Sequence, residues 1–175
     1  MKHLPLLIWL ALSSACGTVA QTRTLADDSL DAHELLERMT DLAGEWTTVA
    51  TEASVEADGR AEFKVTAGGT VVEQRLLVGT RDETLTVFHL DRAGLRLTHY
   101  GVDGRQVRML ALPSSSTKHI YFEFVDGTNL NPEIDRHMHE AEFHFLDENN
   151  LHAVWTAREE DQVAQVVRYR LRRND

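Results

Sequence analysis

The chain contains one cysteine, Cys16, among 175 residues, so no internal disulfide can form and the fold must be held by packing. No apolar run is long enough to cross a bilayer as a helix, which takes about 20 residues; the stretch from Leu4 to Leu12 falls well short. Basic side chains are in deficit, 18 against 28 acidic ones, giving a formal net charge of −10. Such an acidic surface repels nucleic acid and gains nothing from an anionic membrane. Helical periodicity is also scarce, and beyond residue 44 it gives way to a period of two.

The first twenty residues differ in kind from the rest. Met1-Lys2-His3 is a short basic start, Leu4 to Leu12 is apolar, and Ser13, Ser14 and Ala15 are small residues ahead of Cys16. That is the order of a secretory signal, so residues 1–20 are expected to direct export and to be removed. Ser14-Ala15-Cys16 resembles a bacterial lipoprotein processing site, which implies lipidation at Cys16 and a membrane-anchored protein of the bacterial envelope. A cut after Ala20, with Thr18 and Ala20 as the small residues, gives instead a soluble periplasmic or secreted protein without cysteine. Either way residues 21–30 read as a polar tether and residues 31–175 as one domain, large enough for a sizeable core.

Asp31 can cap a helix, with Glu34 three residues on as in a reciprocal capping box, and Leu35, Leu36, Met39 and Leu42 recur at helical spacing before Gly44. Strands are then expected at 45–52, 61–67, 70–78, 84–90, 95–100, 106–112, 119–125, 137–146, 151–157 and 163–172. Asp58-Gly59, Gly68-Gly69, Asp91 to Gly94, Asp103-Gly104, Asp126-Gly127 and Asp147 to Asn150 read as hairpin turns. Short loops make neighbouring strands antiparallel, and closing about ten of them into a barrel leaves no unpaired edge. The expected fold is all-β: a single antiparallel up-and-down barrel preceded by one short α-helix, with a sandwich as the alternative.

Leu42-Ala43-Gly44-Glu45-Trp46 resembles the glycine-x-tryptophan signature of the calycin superfamily, the lipocalins and fatty-acid-binding proteins. The resemblance implies that Trp46 closes one end of the barrel beneath a basic residue from the last strand, with Arg168 or Arg170 as the counterpart. Glycine permits a close turn, and a guanidinium over an indole is a favourable cation–π pair. Val65 to Thr70, Thr86 to Leu90, Leu95 to Tyr100, Arg108-Met109, Phe122 to Leu130 and His137-Met138-His139 together are similar to a group of uncharacterised bacterial lipocalin-like proteins, over roughly residues 38–157. That similarity implies an architecture and leaves the chemistry open. The strand count also resembles nitrobindin-like barrels, which hold haem through one histidine; His137, His139 or His152 would then be the axial ligand.

Nine histidines occur, with His89, His99, His137, His139 and His144 on expected strands. His137 and His139 share a face with Ala141, Phe143 and Phe145, so two imidazoles are expected either to line the interior or, with a third ligand such as His89 or His99, to hold a metal. Glu73 and Arg75 share a face with Val71 and Leu77. A buried Glu73 would need a partner, and Arg108 could supply it across the cavity, where the pair would also suit the polar head of a ligand. Ser114-Ser115-Ser116 reads as a loop rather than an activated nucleophile. Residues 126–136, with Pro132, read as a lid or a plain crossing between strands, and Glu159-Glu160-Asp161 and Arg172-Arg173 as solvated surface.

The functional expectation is a barrel that binds an apolar or amphipathic small molecule, with Glu73, His99, Arg108, His137 and His139 as ligand contacts and no cofactor beyond the haem alternative. An enzyme would require Glu73, His99 and one of His137 or His139 to converge near an opening. An envelope interaction protein would have a filled barrel and an exposed apolar patch.

Overall fold

The computed structural model describes residues 31–49, 59–92 and 94–175. The signal, Cys16 and the tether therefore lie outside the described residues.

The helix forms where its cap predicts it. In α1 (Ala32–Thr40) the Asp31 carboxylate accepts from the backbone of His33 and Glu34, and the Glu34 side chain accepts from the Asp31 N–H at 2.8 Å. Leu35, Leu36 and Met39 make its buried face, which lies over the ends of three neighbouring strands. No helix among the described residues is long and apolar enough to cross a membrane.

Ten strands follow: β1 (Gly44–Val49), β2 (Arg60–Thr66), β3 (Val71–Leu76), β4 (Thr84–Asp91), β5 (Gly94–Tyr100), β6 (Gln106–Ala111), β7 (His119–Thr128), β8 (His137–Phe145), β9 (Asn150–Glu159) and β10 (Gln162–Arg173). Each pairs antiparallel with its neighbour in sequence, and β1 pairs with β10, so the sheet closes into a barrel. The barrel expectation holds and the sandwich does not. With an up-and-down order, α1 and the starts of β1, β3, β5, β7 and β9 share one end. The turns after β3, β5, β7 and β9 share the other, open end.

The interior is apolar and filled over its helix-proximal half. Phe88, Phe122 and Phe143 meet at ring separations of 5.5 to 5.9 Å, and Trp155 stands 6.0 Å from Phe143. Trp46 is fully buried, edge-on to Phe63, and its indole N–H donates to the Leu42 carbonyl at 2.9 Å. The cation above that indole is Arg173, its guanidinium 4.4 Å from the ring centroid, rather than Arg168 or Arg170. Alternation explains the difference: Val167 and Leu171 are buried and Arg173 shares their side, whereas Arg168, Arg170 and Arg172 are exposed on the outer wall. Arg173 is thus not plain solvated surface. It donates to the carbonyls of Asp41, Ala43 and Glu148 and clamps the helix exit to the end of the last strand. Gly44 is required there: its φ is +135°, and a Cβ would come within 3.0 Å of the Arg173 guanidinium.

Two bulges change which side chains look inward. β7 runs on through Asp126 and Gly127, where a hairpin turn was expected, because Arg108 reaches across to Asp126 and to the Thr128 hydroxyl and holds the strand in register. The register slips between Arg108 and Met109, so Val125 is the extra residue. In β8 the slip falls between Met138 and Glu140 and leaves His139 unpaired. The continuous face expected to carry His137, His139, Ala141, Phe143 and Phe145 is therefore broken at His139.

Candidate functional site

Small apolar side chains and a polar layer meet at the open end. A cavity of about 400 Å3 lies there, lined by Thr84, His99, Val107, Met138 and Ala157 on strands, by Arg136 and His137, and by the β5–β6 turn from Gly101 to Arg105. A smaller space of about 50 Å3 continues inward from Thr84, His99 and Met138 to Leu76, Trp155, Val167 and Tyr169. Volumes of a few hundred Å3 with mixed lining are typical of small-molecule sites. A groove of about 480 Å3 beside α1 is lined instead by Arg38, Arg173 and the β8–β9 turn, whose polar groups are already engaged in holding the helix end.

His99 forms the floor of the mouth. Its inward direction follows from Leu95 and Leu97, buried on the same face of β5. Its Nδ1 is 2.9 Å from the Thr86 hydroxyl, and its ring lies against Trp155 at 4.8 Å. Burial pushes the imidazole down to about 4, against a weaker upward pull from Asp103, so the ring is neutral near pH 7. Asp103 itself is raised by desolvation but held below its ordinary value by the backbone and guanidinium of Arg105, which lies 2.8 Å away.

Beside His99 stands a group that the sequence reading missed. Gln74 pairs across the sheet with Thr86, which pairs in turn with His99, so the three form one row inside the barrel. Gln74 is fully buried, and neither its amide nitrogen nor its oxygen meets a hydrogen-bonding partner; the Trp155 indole N–H is likewise unpartnered. Buried polar groups are nearly always satisfied, so these three atoms are where the interior has hydrogen bonds left to make.

His137 and His139 are brought together at the rim. The His137 Nδ1 is 2.8 Å from the Asp135 carbonyl, which can only accept, so in the neutral ring the proton sits on Nδ1. Its Nε2, 3.1 Å from His139 Nδ1, then accepts from His139 and leaves that ring's Nε2 unprotonated. Phe124 packs against both rings. Burial first, then Arg158 and His137, lower the His139 pKa.

The other expected contacts are elsewhere. Glu73 lies outside the barrel, because Val72, Gln74 and Leu76 take the inward positions of β3. Arg108 is outside as well, since Val107 and Met109 face in, and it is bound to Asp126. The proposed Glu73–Arg108 pair across the cavity does not form, and no acid–base set of Glu73 with the histidines exists. His89 is turned away from the mouth, its Nδ1 3.1 Å from the Leu90 carbonyl. As axial ligands for haem, His152 is on the outer wall and both ring nitrogens of His137 are engaged, which leaves His139 at the rim, and the space beneath the mouth is about 50 Å3. Residues 129–136 fold as a tight crossing, with Asn131 and Asp135 bonding each other's ends of the turn, and contribute Arg136 to the mouth.

The chain matches no protein-family model and no curated protein.

Proposed function

We propose that this is an exported, lipocalin-like binding protein that holds an amphipathic small molecule at the open end of its barrel. The carrying observation is the 400 Å3 cavity at the open end, which leads past His99 and Met138 to a smaller space bordered by Trp155 with its unpartnered indole N–H. The apolar part of the ligand would rest on Val107, Met138 and Ala157, and its polar part would meet His99 and the guanidinium groups of Arg105 and Arg136. Support for the family comes from Trp46 with its arginine lid, and support for export from the signal-like residues 1–20, with Cys16 or the bond after Ala20 as the processing point. The rim adds a further reason to favour a ligand with an apolar part. Among the described residues, Val49, Tyr100, Val102, Val125, Ile134 and Val163 are exposed hydrophobics placed around the open end, against Leu146 at the other.

Titration with the amphipathic anion 1-anilinonaphthalene-8-sulfonate tests the reading. Saturable fluorescence enhancement is expected with native protein, together with a change in Trp155 emission. Met138→Trp, which fills the shared wall of both spaces, is expected to weaken binding at least about tenfold, or about 1.4 kcal/mol. Equal binding by native protein and this variant would exclude the mouth as the site.

Gln74 supplies a second prediction. Gln74→Met removes two unsatisfied buried groups at similar volume, so the free protein is expected to gain roughly 1–3 kcal/mol in urea unfolding. The same change is expected to weaken retention of whatever polar ligand copurifies, read by native mass spectrometry. A variant less stable than the parent would show that Gln74 is already satisfied.

A further inference from the structure

The outer wall of the barrel carries a row of imidazoles that the mouth does not use. Ile120 and Phe122 face the core, so His119 and Tyr121 face outward on β7; Phe143 and Phe145 do the same for Glu142 and His144 on β8. Register then aligns them. His119 pairs directly with His144, His144 with His152 on β9, and Tyr121 with Glu142. Three strands therefore set three histidines side by side with a carboxylate one step along the same face.

We propose that His119, Glu142 and His144 form a binding site for a divalent transition-metal ion of the zinc class. Their donor atoms lie within 4.8 Å of one another. The Glu142 carboxylate oxygen is 3.0 Å from His144 Nε2 and 3.3 Å from His119 Nε2. A tetrahedral zinc with ligand bonds of about 2.0–2.2 Å spaces its donors by roughly 3.3 Å, so both separations are close to those of a bound set. Two imidazoles with one carboxylate is a donor combination suited to zinc, leaving a fourth position for water.

An independent observation points the same way. His119 Nε2 is shielded from solvent yet has no directed hydrogen bond, although Glu142 is near. The ring is wedged between two others that are tilted to it, with centroids 3.5 Å from Tyr121 on one side and 3.5 Å from His144 on the other. The nitrogen thus faces the Glu142 carboxylate at 3.3 Å from a ring held in place, without a well-formed hydrogen bond to give up when a metal arrives. The site is open to entry, since the side chains of Glu142 and His144 are each about 30 % exposed.

The test uses the full chain, stripped with chelator and titrated with Co2+ and then Zn2+. The native protein is expected to develop visible cobalt d–d bands that zinc abolishes, and to show a rise in Tm with zinc. His144→Gln and Glu142→Gln are each expected to weaken binding by at least 100-fold, beyond the roughly 10–100-fold cost of disturbing an outer partner. Both changes sit on the outer wall and their folding is checked by circular dichroism. His139→Gln, at the rim pair, should bind within twofold of native. In the native protein, imidazole nitrogen signals of His119 and His144 should shift with zinc while that of His99 does not. Absence of both cobalt bands and the zinc-dependent Tm shift would overturn the proposal. So would bands that survive His144→Gln unchanged, or that are lost in His139→Gln but kept in His144→Gln.

Discussion

Trp46→Ala is expected to destabilise the barrel by about 3–5 kcal/mol, the range for truncating a fully buried large aromatic. Three losses combine at this position. The indole fills the helix-side end against Phe63, its N–H satisfies the Leu42 carbonyl at the exit of α1, and its outer face receives Arg173. Trp46→Phe keeps much of the volume and should cost less, chiefly through the lost hydrogen bond, at about 1–2 kcal/mol. Arg173→Lys keeps the charge but cannot bridge the Asp41, Ala43 and Glu148 carbonyls at once, so it too should destabilise measurably. Arg168→Ala and Arg170→Ala, on the exposed outer wall, should fall within about 0.5 kcal/mol of native. Urea unfolding with m compared across the series gives the ranking. A Trp46→Ala midpoint near that of native, or equal effects at positions 168 and 173, would mean that the end of the barrel is closed by something other than this pair.

The strands were legible because each is half-buried and bounded by Gly, Asn or Asp, which leaves a period of two between turn signals. Side-chain direction was less so, and β3 shows why. Val71-Val72 and Leu76-Leu77 are adjacent apolar pairs, so either phase of the strand is equally hydrophobic; only the cross-strand partners Phe63 and Thr86 decide that Gln74 rather than Glu73 looks inward. Bulges defeat parity altogether, since one inserted residue reverses every side chain beyond it. That is what separates His137 from the Ala141 and Phe143 face and puts Met138 beside Ala157. Arg173 was readable in principle, because it keeps step with Val167, Tyr169 and Leu171. The wall cluster was half readable: alternation puts His119, Glu142 and His144 outside, but their alignment depends on a register that no single strand encodes.

Acid should weaken the fold through His99 as pH falls below 6.5. In the unfolded chain this imidazole titrates at its ordinary 6.5, and in the folded barrel at about 4. Between those values the unfolded state binds more protons, so stability rises with pH. The contribution is complete above 6.5, is lost as pH falls from 6.5 to 4, and levels off below 4. A shift of this size corresponds to about 3 kcal/mol in full, and to about 2 kcal/mol of it by pH 5. His139 and His152 are also lowered, by burial first, and act in the same direction, so the native loss should exceed the share of His99. Comparing urea midpoints at pH 7.5 and 5.0 for native protein and His99→Gln isolates that share. The variant should be the less pH-sensitive by about 2 kcal/mol, whatever its stability at pH 7.5. Equal slopes would show that the ring accepts a proton in place, through Asp103 or water, and that the layer of Gln74, Thr86 and Trp155 beneath the mouth is wetter than its burial implies. The same protonation bears on binding. Near pH 7 the mouth presents a neutral imidazole flanked by guanidinium groups, and as pH falls toward 5 the cost at His99 should weaken the fold that holds any bound molecule.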